Sequence, residues 1–274
     1  MIKKVFSILF TFFLTFSLQI KALSSTTIKV DNKPLTFSYE IYDQVTQTYV
    51  NERGQVDYKA LKANLSTLRA FIDLLAKISP ENSPELFPSP EEKKRYYLTA
   101  YNALVMFYAA NAYPDKHVLW SKLGYFKDKD IVLGGRKISL NYLEHEIIRK
   151  QFLDPRIHFY INCGANSCPP IKKGAIAKNK TEDELEKAAT EFINSADNVR
   201  VDTASNTLYL SKIFDWFEQD FITYLKAKRG LSNPHISQYI ALYLNDADNK
   251  KLSTIPLNKL KIKHLHYDKD LNEQ

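Results

Sequence analysis

The sequence is poor in the residues that several classes of protein need. It contains two cysteines in 274 residues, which excludes a fold held together by a network of disulfides. Its seven glycines are too few for a scaffold built mainly of loops. The net charge is +7, but the basic residues are scattered among acidic ones and form no clustered stripe. We therefore expect no nucleic-acid partner.

The first 22 residues have the pattern of a signal peptide. Lys3 and Lys4 precede an apolar run from Val5 to Ile20, and Ala22 is small enough to stand before a cleavage site. The run is short for a membrane-spanning helix, which needs about 20 apolar residues. We expect an exported protein, periplasmic or secreted, without a stable membrane span after cleavage. An uncleaved N-terminal anchor is the alternative.

Residues 23–274 contain enough apolar sequence for a single globular domain. The chain has 17 Tyr and 16 Phe, which supports a sizeable core. Residues 89–92, Ser-Pro-Glu-Glu, predict the start of a helix because they supply a cap, a proline at the first helical position and an acid after it. Residues 97–110 are then almost wholly apolar, which is typical of a helix buried at the centre of a domain.

The whole pattern predicts a mainly helical α+β domain with a small sheet packed on one side. Helical spacing and capping signals, including a capping box at 181–184, predict further helices at 36–50, 58–79, 139–150, 181–195, 212–229, 235–244 and 256–260. Alternation and turn residues predict hairpins at 131–138 and at 199–210, and strands at 157–163 and 261–267.

The residue types suited to chemistry concentrate between His158 and Pro170, where the predicted strand leads into a glycine-containing loop. Both cysteines, Cys163 and Cys168, lie in this loop. They form a disulfide, as is usual after export, or one is a reactive thiol with a histidine partner, or both bind a metal together with a nearby histidine. For a metal, the Cys-x4-Cys spacing is wider than in common structural zinc sites.

The predicted strand assigns these side chains to two faces, because side chains alternate along a strand. Ile157, Phe159 and Ile161 would share the buried face, and Cys163 would follow them. His158 would lie on the opposite face together with residues 160 and 162. On this geometry His158 is not the natural partner of Cys163.

Three residues outside the loop are further candidates. His145 lies to one side of the apolar stripe of its helix, so it is either a surface histidine or a general base. Asn102 interrupts the apolar helix, and its amide must find hydrogen-bond partners there. It either ties down a neighbouring loop or orients a histidine or a substrate. Arg156 is either a salt-bridge residue or a contact for an anionic ligand.

Four segments resemble the family called domain of unknown function 547. They are 101–104 (Tyr-Asn-Ala-Leu), 143–149 (Leu-Glu-His-Glu-Ile-Ile-Arg), 154–158 (Asp-Pro-Arg-Ile-His) and 162–169 (Asn-Cys-Gly-Ala-Asn-Ser-Cys-Pro). The resemblance covers about residues 90–220. In addition, residues 267–272 are similar to the family's Tyr-Asp-Trp-x-Leu-Asn ending, with Lys269 in place of the tryptophan. The resemblance implies a fold unit and no established reaction, and some family members are joined to thioredoxin-like modules.

These observations lead to one main expectation and two alternatives. The main expectation is a thiol-dependent hydrolase or acyl transferase that needs no cofactor or metal. In it, Cys168 or Cys163 is the nucleophile, His145 the general base and Asn102 the orienting group, while Arg156 and His158 bind substrate. One alternative is a non-catalytic module with a structural Cys163–Cys168 disulfide, which binds a small molecule or a protein. The other is a thiol redox role for the same pair.

Overall fold

The central helix, α4 (Pro90–Ala112), begins where the sequence predicts it. In the computed structural model, which describes residues 36–115 and 130–274, the Ser89 hydroxyl accepts a hydrogen bond from the Glu92 backbone N–H at 3.1 Å. Every residue from 96 to 107 is buried, so α4 is the centre of the core. The predicted signal peptide, residues 1–22, and the first part of the predicted mature chain lie outside the described residues.

Three helices precede α4 in the chain: α1 (Glu40–Tyr49), α2 (Tyr58–Ala63) and α3 (Leu65–Lys77). The prediction of one helix over 58–79 is therefore wrong. The chain leaves the helical conformation at Asn64, where φ is −124° and ψ is 33°. The Asp57 carboxylate caps α2 by accepting a hydrogen bond from the Ala60 N–H at 2.9 Å. A short 3-10 helix (Pro84–Leu86) leads to α4.

The predicted hairpin at 131–138 is present, as β1 (Asp130–Leu133) paired antiparallel with β2 (Arg136–Ser139). The Ser139 hydroxyl then caps helix α5 by accepting a hydrogen bond from the Tyr142 N–H at 3.0 Å. Helix α5 has three consecutive parts, an α-helical turn (Leu140–Tyr142), a π-helical segment (Leu143–Ile148) and a second α-helical turn (Arg149–Phe152). Such π segments are rare and occur frequently at functional sites.

The predicted strand at 157–163 is absent. Pro155–Phe159 is a 3-10 helix, and the chain continues from it as irregular backbone. The Asp154 carboxylate caps this helix through the Arg156 N–H at 3.1 Å, and a proline at its first position favours a helical start. The expected alternation of faces is consequently wrong, because every residue from 157 to 162 is buried.

The second half of the chain adds helices and a three-stranded sheet. The helices are α6 (Thr181–Ile193), α7 (Lys212–Trp216), α8 (Glu218–Arg229), α9 (Ile236–Ile240) and α10 (Asp246–Ser253), with a 3-10 turn at Leu257–Lys259. The strands are β3 (Val199–Asp202), β4 (Thr207–Leu210) and β5 (Lys261–His264). Strands β3 and β4 form the predicted hairpin, and β5 pairs parallel with β4.

Two further predictions in this half need correction. The capping box at 181–184 is wrong because Thr181 is already the first helical residue. Its N–H donates to the Glu91 carboxylate on α4 at 3.0 Å, so the start of α6 is fixed by a tertiary contact. The predicted helix over 212–229 is divided at Phe217 into α7 and α8, and α10 was not predicted.

The expected fold class is confirmed. Residues 36–274 form one compact unit, in which helices predominate over the two small sheets. An aromatic cluster joins α6, α7, α8 and α9, with Phe159 stacked on Phe192 at 4.9 Å and Phe221 against Tyr239 at 4.8 Å between ring centroids. Within residues 36–115 and 130–274, no helix has the length and hydropathy of a membrane span.

Candidate functional site

A cavity of about 180 Å³ lies beside the two cysteines. Its polar and reactive lining residues are Tyr101, Glu144, His145, His158, Cys163, Cys168 and Tyr267. Its apolar wall is formed by Ile161, Pro169, Ile213, Trp216 and Phe217. The cavity therefore lies between α4, the π segment of α5, the cysteine loop, α7 with the following Phe217, and the C-terminal segment.

The cysteine loop is shaped by one buried asparagine. Asn162 Oδ1 accepts a hydrogen bond from the Gly164 N–H at 2.6 Å, and Asn162 Nδ2 donates to the Pro169 carbonyl at 2.7 Å. Gly164 has a φ of 86°, which favours glycine over residues with a side chain. The turn brings the Cα atoms of Cys163 and Cys168 to 6.1 Å, within the range that a disulfide spans.

Cys163 and Cys168 form a disulfide on the wall of the cavity. This agrees with the disulfide interpretation of the loop. The described part of the chain contains no group of three His, Cys, Asp or Glu side chains arranged to hold a metal ion.

Two hydrogen-bond donors face the Cys168 sulfur. The Cys163 backbone N–H donates to Cys168 Sγ at 3.0 Å, and the Tyr267 hydroxyl lies 3.1 Å from the same sulfur. The hydroxyl is also 3.3 Å from Cys163 Sγ. Burial raises the pKa of Tyr267 well above its ordinary value, so the hydroxyl keeps its proton. A disulfide sulfur has no proton, and Tyr267 is therefore the donor.

The C-terminal segment, residues 267–272, holds this loop in place. The Ser167 N–H donates to the Asp268 carbonyl at 3.1 Å, and the Asp268 N–H donates to the Ser167 hydroxyl at 2.8 Å. The Asn272 N–H donates to the Gly164 carbonyl at 3.0 Å. These bonds position Tyr267 against the sulfurs, so the site depends on two segments that are far apart in the sequence.

His158, which lines the cavity, forms a cluster with Asp220 and Arg149. His158 Nε2 is 2.7 Å from Asp220 Oδ2. Arg149 donates to both oxygens of the same carboxylate, through Nε at 2.7 Å and Nη2 at 2.8 Å. The His158 ring is stacked on Phe217 with 3.9 Å between ring centroids and 16° between planes. Its position is thus fixed from the edge and from the face.

These contacts determine the protonation of His158. Burial lowers the pKa of His158, and the hydrogen bond to Asp220 opposes this shift. Burial raises the pKa of Asp220, but the hydrogen bonds from His158 and Arg149 outweigh it and hold that pKa well below its ordinary range. The imidazole is therefore neutral near pH 7, with its proton on Nε2 toward the carboxylate. Nδ1 carries the lone pair, is buried, and has no hydrogen-bond partner among the described residues.

His145 and Glu144 reach the cavity from the π segment of α5. Arg149 Nη1 lies 2.7 Å from His145 Nδ1. A guanidinium only donates hydrogen bonds, so Nδ1 is the acceptor and the His145 proton resides on Nε2. The Tyr101 hydroxyl donates to Glu144 Oε2 at 2.8 Å. The assignment of His145 as a general base stays a prediction. His158 lines the same cavity as Cys163, whereas the predicted strand would place the two side chains on opposite faces.

Asn102 is not among the residues that line the cavity. Its Oδ1 accepts a hydrogen bond from the Asn162 N–H at 2.8 Å, and its Nδ2 donates to the Tyr160 carbonyl at 3.2 Å. Both partners belong to the segment that leads into Cys163. Asn102 thus ties down the cysteine loop, which is one of the two alternatives drawn from the sequence, and it positions the site from outside.

Arg156 also lies away from the cavity lining. Its guanidinium pairs with Asp154 at 2.7 Å and with Glu186 at 3.0 Å, and Lys94 pairs with the same Asp154 at 2.9 Å. The side chains of Arg156 and Asp154 are 15% and 7% exposed, so this pair is largely buried, whereas Glu186 is exposed. The structure places Arg156 in a salt-bridge network. These contacts indicate a structural role for Arg156, and the expected substrate contact stays a prediction.

Glu144, Tyr267 and Asp220 belong to the site but are not among the sequence candidates. Glu144 and Tyr267 lie in segments that resemble the family, and that resemblance was the available signal. Asp220 offered no signal, because its partner His158 is 62 positions away and the intervening fold alone brings the two together.

Residues 87–193 match the model of a family described as "Protein of unknown function, DUF547". The chain therefore resembles the DUF547 family, as its motifs indicate. The DUF547 match includes α4, the cysteine loop and α6, while Asp220 and Tyr267 lie beyond it. No curated protein and no solved structure matches the chain.

Proposed function

We propose that the cavity is a site of thiol–disulfide exchange and that Cys163 and Cys168 are its redox-active pair. The observation that carries this proposal is the pair of donors at Cys168 Sγ, the Cys163 N–H at 3.0 Å and the Tyr267 hydroxyl at 3.1 Å. Donors stabilise a charged acceptor more than a neutral one. They therefore favour the reduced state in which Cys168 is a thiolate.

The exchange begins at Cys163, which is half-buried, whereas Cys168 is buried. A substrate thiolate attacks Cys163 Sγ, a substrate–Cys163 disulfide forms, the Cys163–Cys168 bond breaks, and Cys168 leaves as a thiolate. A second substrate thiolate then attacks the substrate sulfur and releases Cys163 as a thiolate. Two substrate thiols are oxidised to one disulfide, the protein disulfide gains two electrons, and the two thiol protons pass to the cysteines or to water.

The predicted export of the protein is consistent with the same proposal. The signal-peptide pattern of residues 1–22 predicts an oxidising compartment, in which a small-molecule disulfide would reoxidise Cys163 and Cys168 by the reverse exchange and would itself be reduced to two thiols. The position of the disulfide on a cavity wall also gives a substrate sulfur a route to the pair. A disulfide that served only to clip the loop would need neither the cavity nor the second donor from Tyr267.

The reduction potential of the pair tests the proposal. The protein is equilibrated in dithiothreitol redox buffers, its thiols are alkylated, and the reduced fraction is read by intact mass. We expect a potential above about −300 mV, in the range of catalytic dithiols, because structural disulfides lie below that value. A potential below it, together with no exchange with 2-mercaptoethanol, would make the pair a structural clip. The Cys163→Ser/Cys168→Ser double variant is the control for alkylation elsewhere.

A second function, the thiol-dependent hydrolase or acyl transferase, is favoured by the pairing of His158 with Asp220. In the reduced protein a cysteine thiolate would attack a carbonyl, expel the leaving group and form a thioester that water hydrolyses. His158 suits the general base better than His145, because His158 Nδ1 carries a lone pair whereas His145 Nδ1 already accepts from Arg149. Asp220 would fix the tautomer, as the aspartate of a catalytic triad does.

The reduced protein tests this second function with 4-nitrophenyl acetate. We expect turnover only after reduction, and a loss of at least about a hundredfold in His158→Gln, which is at the lower end of the usual contribution of a general base. Turnover that is equal in oxidised and reduced protein, or unchanged in His158→Gln, would exclude this chemistry.

A further inference from the structure

We infer that the substrate thiol of this cavity carries a positive charge beside an apolar group, and that anionic thiols are disfavoured. This inference rests on the thiol–disulfide exchange proposed above and concerns the chemistry of its substrate. It comes from the charges and walls of the cavity.

The first step is the charge of the lining. Among the lining residues of the described chain, Glu144 is the one carboxylate, and no lysine or arginine belongs to the lining. His158 is neutral with its proton held toward Asp220, and His145 accepts a hydrogen bond from Arg149. The described part of the lining thus presents one carboxylate and no lysine or arginine to balance its charge.

The second step is the availability of that charge. Glu144 Oε2 accepts the Tyr101 hydroxyl at 2.8 Å, and within residues 36–115 and 130–274 Oε1 has no hydrogen-bond partner. The nearby Arg149 is already occupied by both oxygens of Asp220. Glu144 therefore has one oxygen to offer to a ligand cation.

The third step is the apolar part of the lining. Ile161, Ile213 and Phe217 are apolar, and Trp216 is 44% exposed beside the ring of Tyr267, at 4.7 Å between centroids. The volume of about 180 Å³ is smaller than that of cavities that hold whole drug-sized ligands. It accepts one apolar group of a substrate, and the rest of that substrate must lie outside.

The negative charge of the attacking thiolate increases the discrimination between cationic and anionic thiols. A thiolate is itself an anion, so Glu144 raises the barrier for a thiol that carries a further carboxylate. A thiol with an ammonium group approaches with no net charge and gains a contact with Glu144. Charge selection of this kind is strongest at low ionic strength, because salt screens it.

Three small thiols test the inference on the intact protein: cysteamine (cationic), 2-mercaptoethanol (neutral) and 3-mercaptopropionate (anionic). The rate constant for reduction of Cys163–Cys168 by each is divided by its rate constant with hydroxyethyl disulfide, which removes differences in intrinsic reactivity. We expect cysteamine to exceed 3-mercaptopropionate by about tenfold at low salt, and Glu144→Gln to reduce that ratio to about twofold.

The control is Glu146→Gln, which removes the same charge from an exposed position of α5 that pairs with Lys150 and is not a lining residue. It should leave the ratio unchanged. Glu144→Gln keeps an oxygen for the Tyr101 hydroxyl, and a thermal melt checks that it folds. A ratio that is the same in wild type, Glu144→Gln and Glu146→Gln would overturn the inference while leaving exchange intact. No reduction by any of the three thiols would overturn the exchange proposal itself.

Discussion

The hydroxyl of Tyr267 lies 3.1 Å from the sulfur of Cys168, although 99 positions separate the two residues. If this contact stabilises a thiolate, its removal must raise the pKa of that thiol. We expect Tyr267→Phe to raise the pKa of Cys168 by about one unit, since a hydrogen bond to a charged group is worth about 1.5–3 kcal/mol. Iodoacetamide labelling from pH 5 to 9, in a Cys163→Ser background, measures it.

The matched control is Tyr209→Phe in the same background. Tyr209 lies on β4, against Arg200 and away from the cavity lining, so its hydroxyl should not affect the labelling curve. If the two phenylalanine variants give the same pKa for Cys168, the Tyr267 contact has no role in stabilising the thiolate.

Asn102 is expected to matter for stability through the cysteine loop. Asn102→Leu leaves the Asn162 N–H and the Tyr160 carbonyl without their partner inside the core. We expect the free energy of unfolding in urea to fall by about 2–4 kcal/mol, because each stranded buried group costs about 1–3 kcal/mol.

Thr99→Val on the same helix is the control for that variant. The Thr99 hydroxyl is buried and has no hydrogen-bond partner among the described residues, so a methyl group in its place should leave stability unchanged or slightly increased. Equal losses in the Asn102 and Thr99 variants would mean that polarity within α4, and not the loop contact, sets the cost.

His158 predicts a dependence of stability on pH. Its folded-state pKa is lowered by burial, whereas an unfolded histidine titrates near pH 6.5. As the pH falls through about 6.5, His158 is protonated in the unfolded chain but stays neutral in the folded protein. The free energy of unfolding therefore falls. This one group contributes a loss of roughly 1 kcal/mol between pH 7.5 and 5.5.

Urea unfolding of wild type and His158→Gln at pH 7.5, 6.5 and 5.5 measures this contribution. Glu144, Asp220 and Arg149 surround the ring and remain in the variant, and the lowered pKa of Asp220 keeps that carboxylate charged over this range. The pH slope should be shallower in His158→Gln and unchanged in His264→Gln, an exposed histidine. Parallel slopes for all three proteins would contradict the assignment.

Arg156 should affect folding without affecting exchange. Arg156→Gln breaks the pair with the buried Asp154, while Lys94 still neutralises that carboxylate. We expect a loss of roughly 2 kcal/mol in the free energy of unfolding, less than for a buried charge left wholly unpaired. The rate of reduction by 2-mercaptoethanol should stay within about twofold of wild type, because the cavity lining keeps all its residues. If the rate of reduction falls strongly while the free energy of unfolding is unchanged, Arg156 contacts the substrate and this prediction is wrong.

The parts of the fold that the sequence predicts are those decided by neighbouring residues. The start of α4 follows from Ser89 and Pro90, and the first hairpin follows from Gly134 and Gly135, because caps and turns are local. The segment 157–163 alternates like a strand, but the Asp154 cap and the proline after it act locally too, and they favour a 3-10 helix.

The candidate site could be predicted only in part for the same reason. The two cysteines, His145 and His158 could be selected as candidates because their side chains are reactive and lie close together in the sequence. The sequence shows that Asn102 needs a hydrogen-bond partner, but it does not identify Asn162 as that partner. Asp220 and Tyr267 contact His158 and Cys168 across 62 and 99 positions of the sequence. Contacts over such distances cannot be predicted from the spacing of residues.

The contacts between the cysteine loop and residues 267–272 also set an order in time. A ribosome delivers Cys163 and Cys168 about a hundred residues before it delivers Tyr267 and Asp268. During that interval the Ser167 N–H and the Gly164 carbonyl lack their partners in residues 267–272, and Cys168 lacks the Tyr267 hydroxyl. The loop therefore acquires its final shape only after residues 267–272 have been synthesised, and in a nascent chain stalled before residue 267 Cys168 would lack the Tyr267 hydroxyl.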